Sequence, residues 1–334
     1  MAAPLSVADL DLILAHTREL WSEMRGQRIF LTGGTGFFGC WLVESFLHAN
    51  RALQLGAQAT ILTRDPRAFV QKCPLLASDP AITLLAGDVR DFPYPQGGFR
   101  YVVHAASEIN AGDEAQEAIR RGAERTLQFA AAHGTQKFLL TSSGAVYGPQ
   151  PESIAHMAEE FVGAPNTAYG EGKRAAELLC AQYAHGMECK IARCYAFVGP
   201  HLPLDGRFAI GNFIRDAMRS DVIHVQGDGT PKRSYMYAED LTIWLWTMLF
   251  RAPSLEAFNV GSEQAVSILE LAHAVNAALG SKAGVHLARE AVEGAAVQQY
   301  VPSTRKAEQR LGLQCHISLE EAIRRTAAWH GYRA

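Results

Sequence analysis

Apolar residues along the first two thirds of the chain form short runs that alternate with longer amphipathic stretches. Arg28-Ile29-Phe30-Leu31, Ala59–Thr63, Ile82–Ala86, Tyr101–Ala106, Lys137–Ser142 and Cys189–Tyr195 read as six strands. Phe38–Leu47, residues 114–133 and Gly170–His185 read as helices between them. Strands alternating with helices predict an α/β fold with a Rossmann-type doubly wound parallel sheet. An extra helix over residues 5–24 precedes this pattern. After residue 197 the pattern loosens: prolines and glycines cluster at 199–206 and 227–231, and helices follow at about 208–219, 239–251, 267–279 and 318–330. The expected organisation is therefore an N-terminal helical extension (1–25) and a dinucleotide-binding domain (26–196, with 234–258 packing back on it). A smaller C-terminal α/β substrate lobe (197–233 and 259–334) completes it.

Composition narrows the class. With 334 residues, 48% of them hydrophobic, the chain can bury a large core, and its net charge of −3 gives no nucleic-acid footprint. The six cysteines have no framework or zinc-like spacing and read as reduced thiols of a cytoplasmic protein. The N-terminus lacks a basic start and a long apolar core, so no signal peptide is expected. The longest apolar run, Leu241–Phe250, is too short to span a bilayer.

The first strand runs into Thr32-Gly33-Gly34-Thr35-Gly36-Phe37-Phe38-Gly39, a G-x-x-G-x-x-G loop that opens a helix. Glycine there supplies unusual dihedrals and lets backbone N–H groups approach phosphate closely. Gly33, Thr35, Gly36, Phe37, Phe38 and Gly39 are thus the expected cofactor cradle. The end of the second strand selects the cofactor: an acid binds the ribose hydroxyls of NAD, whereas an arginine suits the 2′-phosphate of NADP. Here Thr63 occupies the acid's position and Arg64 follows, which favours NADP, with NAD as the alternative. Asp65 reads either as a cap for a helix opened by Pro66 or as a ribose ligand. Asp88 and Val89, after the third strand, are candidates for the adenine edge, and His104, Ala105 and Ala106 end the fourth strand beside the cofactor.

Tyr169 and Lys173 stand four apart on a helix and so project from one face. A nearby ammonium favours phenolate, and a drop of about 3 units in a tyrosine pKa represents roughly 4 kcal/mol. Such a phenol can protonate a carbonyl or deprotonate an alcohol at neutral pH.

Together these residues resemble the extended short-chain dehydrogenase/reductase family, in its NAD(P)-dependent epimerase/dehydratase branch, over about residues 28–330. The resemblance rests on Thr32–Gly39, Gly87-Asp88-Val89, His104-Ala-Ala-Ser107, Thr141–Gly148, Tyr169-Gly-Glu-Gly-Lys173, Arg193–Pro200 and Gly227–Asp240. It implies catalysis by Ser143, Tyr169 and Lys173 on a nucleotide-activated sugar, with hydride moving between nicotinamide and a sugar carbon, most often C4. It also implies that Lys173 holds the nicotinamide ribose, and that Ser107, Ser143, Asn212 and Arg233 contact substrate. Phe197, His201, Phe208 and Tyr235 are further specificity candidates. A homodimer through the helices near 114–133 and 170–186 is a family expectation; the charge and the short apolar runs argue against nucleic-acid and membrane partners.

Departures from the family pattern sharpen the reaction. Sugar-nucleotide dehydratases and decarboxylases carry acids directly after the catalytic Ser/Thr, where this chain has Gly144 and Ala145, and 3,5-epimerase/reductases carry a cysteine at Ala145. The remaining chemistry is hydride transfer at one carbinol carbon: a 4-keto-6-deoxy sugar nucleotide reductase, or an NAD-dependent 4-epimerase. A dehydratase with unexpected acids and a non-enzymatic NADP sensor are further alternatives; a sensor typically loses the Tyr/Lys pair, which is present. Ala196 replaces the usual asparagine and Ser303 a common aspartate, so the expected substrate is an unusual nucleotide sugar or one that is not a nucleotide sugar at all.

Overall fold

The computed structural model describes residues 2–107, 114–206, 208–220, 222–292 and 294–333. Six strands occupy the positions expected from the apolar runs: β1 (Arg28–Thr32), β2 (Gln58–Thr63), β3 (Ile82–Ala86), β4 (Tyr101–His104), β5 (Lys137–Ser143) and β6 (Glu188–Cys194). With the strand Ala257–Val260 at one edge, their order in space is 3-2-1-4-5-6 followed by that seventh strand. Neighbours from β3 to β6 pair in parallel. This is the doubly wound Rossmann order, whose switch point lies between β1 and β4. β1 and β4 are almost wholly buried, as strands covered on both faces must be.

The chain divides into two compact units. The first comprises Met1–Gly148, Val162–Cys194 and Thr242–Phe258. Its core includes Phe30, Phe92, Phe99, Phe129 and Phe138 with Leu127, Leu140, Ala176 and Cys180. Helices Ala115–Ala132 and Ala168–Tyr183 lie close together: a Cβ on Gly172 would stand 3.0 Å from the Gln116 Cα. The N-terminal segment belongs to this unit. Its helix Val7–Thr17 tightens into a 3-10 helix over Arg18–Met24, and Trp21 is fully buried with its ring centroid 4.8 Å from that of Trp246.

The second unit comprises Pro149–Phe161, Tyr195–Leu241 and Asn259–Ala334. It holds the parallel pair Val222–Val225 and Gly284–Leu287, and a three-stranded sheet of Val266–Ser267, Lys232–Arg233 and Gln299–Tyr300. Two boundaries differ from the expected ones. Pro149–Phe161 joins this unit because Met157 N donates to Val301 O and Asn259 Nδ2 donates to Met157 O. Of residues 234–258, only Thr242–Phe258 falls in the first unit. Among the described residues no helix is long and apolar enough to cross a membrane.

Candidate active site

The glycine loop is shaped by contacts that exclude side chains. Gly33 has φ +71°, and a Cβ there would lie 2.6 Å from the Ala105 carbonyl carbon and the Ala106 nitrogen. A Cβ on Gly39 would meet Gly33 O at 2.2 Å. Gly36 differs: its nearest protein atom would be Gly33 O at 3.4 Å. The protein itself thus tolerates a Cβ at Gly36, and glycine there leaves the N-terminus of helix Phe37–Ala52, which Gly36 caps, open to close approach. A helix N-terminus offers unpaired N–H groups and positive potential, which fits a dinucleotide pyrophosphate.

The ends of β1 and β4 are tied beside this loop. Thr32 Oγ1 accepts from Ala106 N (3.1 Å) and pairs with His104 Nδ1 (2.9 Å), while Ala105 N donates to Thr32 O (3.2 Å). Burial, aided by the Lys173 charge, pushes the His104 pKa down to about 3. His104 is therefore neutral near pH 7, a strand-tying group rather than an acid or base. Ser107 follows, with its Oγ buried and unpartnered among the described residues.

At the end of β2, Asp65 Oδ1 accepts from Ala68 N at 3.0 Å and caps helix Pro66–Lys72. The nearest acid is thus committed to the helix, and the exposed Arg64 stands beside it at the end of β2. Asp88 is bound by its neighbour: Arg90 Nε donates to Oδ1 (2.7 Å) and Nη2 to Oδ2 (3.0 Å). That pairing holds the Asp88 carboxyl below its usual range, so its expected adenine contact must compete with Arg90. Val89 packs toward helix Ala115–Ala132, where a Cβ on Gly122 would come within 2.9 Å of its Cγ1.

Ser143 ends β5, and its Oγ accepts from Ala145 N at 3.2 Å, capping the 3-10 turn Gly144–Tyr147. Helix Ala168–Tyr183 starts at Thr167, whose side chain accepts from Gly170 N. It presents Tyr169 one turn before Lys173. Lys173 is buried, its Nζ 5.8 Å from the Tyr169 ring centroid, and it donates to Thr141 O on β5 at 2.7 Å. A Cβ on Gly170 would stand 2.6 Å from Ala145 O, so the helix start backs onto the turn that follows Ser143. The structure therefore gathers Ser143, Tyr169 and Lys173 where β5 meets this helix. Gly144 and Ala145 place no acid or base in the intervening turn.

A buried network beside this trio escaped the sequence reading. Glu177, one turn beyond Lys173, accepts from Ser142 Oγ, from Arg193 Nε (3.0 Å) and from Arg193 Nη2 (2.7 Å). Arg193 Nη1 donates to Tyr147 Oη (2.8 Å), and its guanidinium lies over the Tyr147 ring at 4.7 Å. The network brackets Ser143, holding Ser142 before it and Tyr147 after it. The signal was available: β6 carries the charged residues Lys190 and Arg193 at buried positions, and a glutamate continues the Tyr169/Lys173 face.

In the second unit, taken by itself, Asn212 is committed locally. Its Nδ2 donates to Gly206 O and its Oδ1 accepts from Gly206 N and Arg215 Nη1. The amide staples helix Ala209–Arg219 to the preceding loop, so a substrate contact would have to compete with these bonds. Arg233 donates to Lys232 O, and its guanidinium lies 5.8 Å from the Tyr300 ring, which packs on Tyr195 at 4.5 Å. Ser234 Oγ is buried with no partner among the described residues. Burial pushes the Tyr235 phenol up to about 12.

Comparison with known proteins agrees with this geometry. The chain is 27% identical over 317 residues to UDP-glucuronic acid decarboxylase 1 of Xenopus tropicalis, covering 91% of this chain and 72% of that protein. It is also 27% identical over 306 residues to UDP-glucuronic acid decarboxylase 1 of Arabidopsis thaliana, covering 89% and 68%. Among solved structures, dTDP-glucose 4,6-dehydratase of Streptomyces venezuelae, bound to NAD, superposes with TM-score 0.77 at 23% identity over 91% of this chain and 97% of that one. UDP-glucose 4-epimerase of Thermotoga maritima superposes with TM-score 0.75 at 20% identity over 91% and 99%. Likeness at that identity shows the fold alone. The family model described as "NAD dependent epimerase/dehydratase family" matches residues 29–261, so the chain belongs to that enzyme family.

Proposed function

We propose that this enzyme reduces the 4-keto group of a nucleotide-activated 4-keto-6-deoxy sugar, with NADPH as the preferred cofactor. The observation that carries the reading is the turn Gly144–Tyr147. Elimination or decarboxylation requires an acid/base group there, and Gly144 and Ala145 supply none. That lack supports a reaction other than the one named for the similar UDP-glucuronic acid decarboxylases.

The bound nicotinamide supplies hydride. The protein's residues do the rest. Ser143 hydrogen-bonds the sugar carbonyl oxygen and holds it towards Tyr169. The Tyr169 phenol gives that oxygen its proton as the alkoxide forms, and the Lys173 ammonium stabilises the phenolate left behind. Lys173 is itself fixed by Thr141 O, so its charge stays in place during the proton transfer. Arg64 supports NADPH because the neighbouring acid, Asp65, is spent on its helix cap. In the second unit Arg233 is the candidate for the substrate's diphosphate, since a guanidinium matches phosphate oxygens. The enzyme works as a homodimer through helices Ala115–Ala132 and Ala168–Tyr183, the pair the family expectation names.

The test uses purified protein. Any retained nucleotide is extracted for mass spectrometry, and the stripped protein is titrated with NADPH and NADH, then mixed with a 4-keto-6-deoxy sugar nucleotide. The expected result is no retained NAD⁺, and NADPH oxidation that disappears in Tyr169→Phe. Tightly held NAD⁺ with interconversion of 4-epimers would overturn the reductase reading in favour of an epimerase.

A further inference from the structure

Two cysteines play no part in the chemistry above yet sit against its glycine loop. Cys40 lies in the first turn of helix Phe37–Ala52, and Cys73 ends the helix Pro66–Lys72 that follows Arg64. Their sulfurs lie within 4.8 Å of each other. Cys40 Sγ donates to Thr35 O at 3.7 Å, and Thr35 belongs to the glycine loop. Lys72 Nζ donates to the same carbonyl at 3.0 Å and lies 3.9 Å from Cys40 Sγ. Both thiols are reduced and buried; Cys40 is fully enclosed, whereas Cys73 retains 5% exposure. A second thiol pair, Cys180 with Cys189, is sealed inside the aromatic core.

We propose that Cys40 and Cys73 are a reversible oxidation site for a small hydroperoxide, and that their disulfide weakens dinucleotide binding through Thr35. Cys73 is the attacking thiol. It is the thiol that retains exposure, whereas Cys40 is enclosed and spends its single hydrogen on Thr35 O; the nearby Lys72 ammonium favours thiolate at this pair. The Cys73 thiolate attacks one peroxide oxygen, the O–O bond breaks, and the thiol's proton leaves with the other oxygen as an alcohol or water. Cys73 is then a sulfenic acid. Cys40 sulfur attacks the Cys73 sulfur, the S–O bond breaks, and hydroxide departs with the Cys40 proton as water. Two thiols lose two electrons and two protons, and one hydroperoxide is reduced.

The coupling to the loop follows from valence. A disulfide sulfur carries no hydrogen, so the bond from Cys40 to Thr35 O is lost whatever rotamer is adopted. The sulfurs must also close to about 2.0 Å, which draws Cys40 and the first turn of its helix towards Cys73. Lys72 Nζ still donates to Thr35 O, so the loss of one neutral hydrogen bond limits the rise in the dinucleotide Kd to about 10-fold.

The experiment treats the full chain with hydrogen peroxide under native conditions, quenches, alkylates in denaturant and maps peptides by mass. Dinucleotide Kd values are measured by fluorescence titration with NADPH and NAD⁺ before oxidation, after it, and after dithiothreitol. The expected result is a Cys40–Cys73 cross-linked peptide, a raised Kd, and return of both to the starting state with dithiothreitol. Cys73→Ser should bind dinucleotide like the reduced protein and show no response to peroxide. The proposal is overturned if both thiols stay alkylatable, if the cross-link maps to Cys180–Cys189, or if the disulfide forms while Kd is unchanged. Dithiothreitol reversal is read on the unaltered protein, so the test stands even if Cys73→Ser folds poorly. Failure of the reduced protein to bind either dinucleotide would refute the loop as cofactor cradle and the coupling with it, separately from the mapped thiol pairing.

Discussion

Replacing Glu177 with alanine should unlock the base of the proposed catalytic trio. The carboxylate is 6% exposed and its partner guanidinium 10%, so the interaction is hardly screened by solvent. Glu177→Ala removes the acceptor of Ser142 Oγ and of two Arg193 donors. It leaves the Arg193 cation buried with only Tyr147 Oη of those partners to receive it. Breaking a buried pair in this way costs about 3–5 kcal/mol. For a unit of this size that corresponds to a fall in Tm of about 6–20 °C. Replacing both partners with apolar residues, Glu177→Leu with Arg193→Met, should recover most of this loss, because desolvation of both charges is then avoided. The assay is a double-mutant cycle by urea unfolding. Tryptophan fluorescence reports mainly on the first unit, which contains Trp21, Trp41, Trp244 and Trp246. The double variant should regain stability but not turnover, since Ser142 has lost its partner beside Ser143. A cost below about 1 kcal/mol for Glu177→Ala, or strictly additive single costs, would refute the view that this pair fixes the site.

Three further outcomes are expected. Native His104 has a pKa near 3 against an ordinary value of 6.5, so between those values the unfolded chain binds a proton that the native chain does not. Stability should therefore fall with decreasing pH, by up to about 1.4 kcal/mol per pH unit from this group; unfolding of His104→Gln between neutral pH and about pH 4.5 should show a shallower slope, and parallel curves would refute the assignment. Arg64→Ala should raise the NADPH Kd about tenfold, a figure discounted for the exposure of Arg64, and leave NADH binding nearly unchanged in fluorescence titration. Gly33→Ala, with φ +71° and backbone 2.6 Å from the new Cβ, should cost far more by thermal unfolding than Gly56→Ala. At Gly56, φ is +63° with nothing within 4 Å, and only the dihedral cost of about 1–2 kcal/mol applies.

The sheet and the glycine loop were legible because their signals are local and strong. A fully buried strand is a continuous apolar run, and the strand–glycine–helix order has few other readings. Tyr169 and Lys173 were legible for a similar reason, since helical spacing alone places them on one face. The second unit was harder. Strands such as Lys232–Arg233 and Gln299–Tyr300 are two residues long, too short for any period to appear. The bond between Asn212 and the backbone of Gly206 was not legible, because residue identity does not encode such a contact. Glu177 and Arg193 lie sixteen residues apart on different elements, and the pairing becomes visible only when helix and β6 are set against each other. The N-terminal helix was foreseen as an element, yet its tightening over Arg18–Met24 depends on where Trp21 must point.

That N-terminal segment has a practical meaning. Glu23 is held by Lys137 and Arg251, and its carbonyl accepts from Tyr101 Oη. Lys137 begins β5 and Tyr101 begins β4, so the segment fastens the amino ends of two central strands whose opposite ends carry His104 and Ser143, at the proposed cofactor and reaction site. The sheet is thus clamped at its far end from the chemistry, as a beam is fixed at a wall. A chain shortened to start at Arg28 would keep every residue of the reaction site and still lose the fixture that steadies it. Trimming these residues to obtain a tidier protein for crystals or assays would remove part of the foundation, and low activity in such a trimmed protein would say nothing about its substrate.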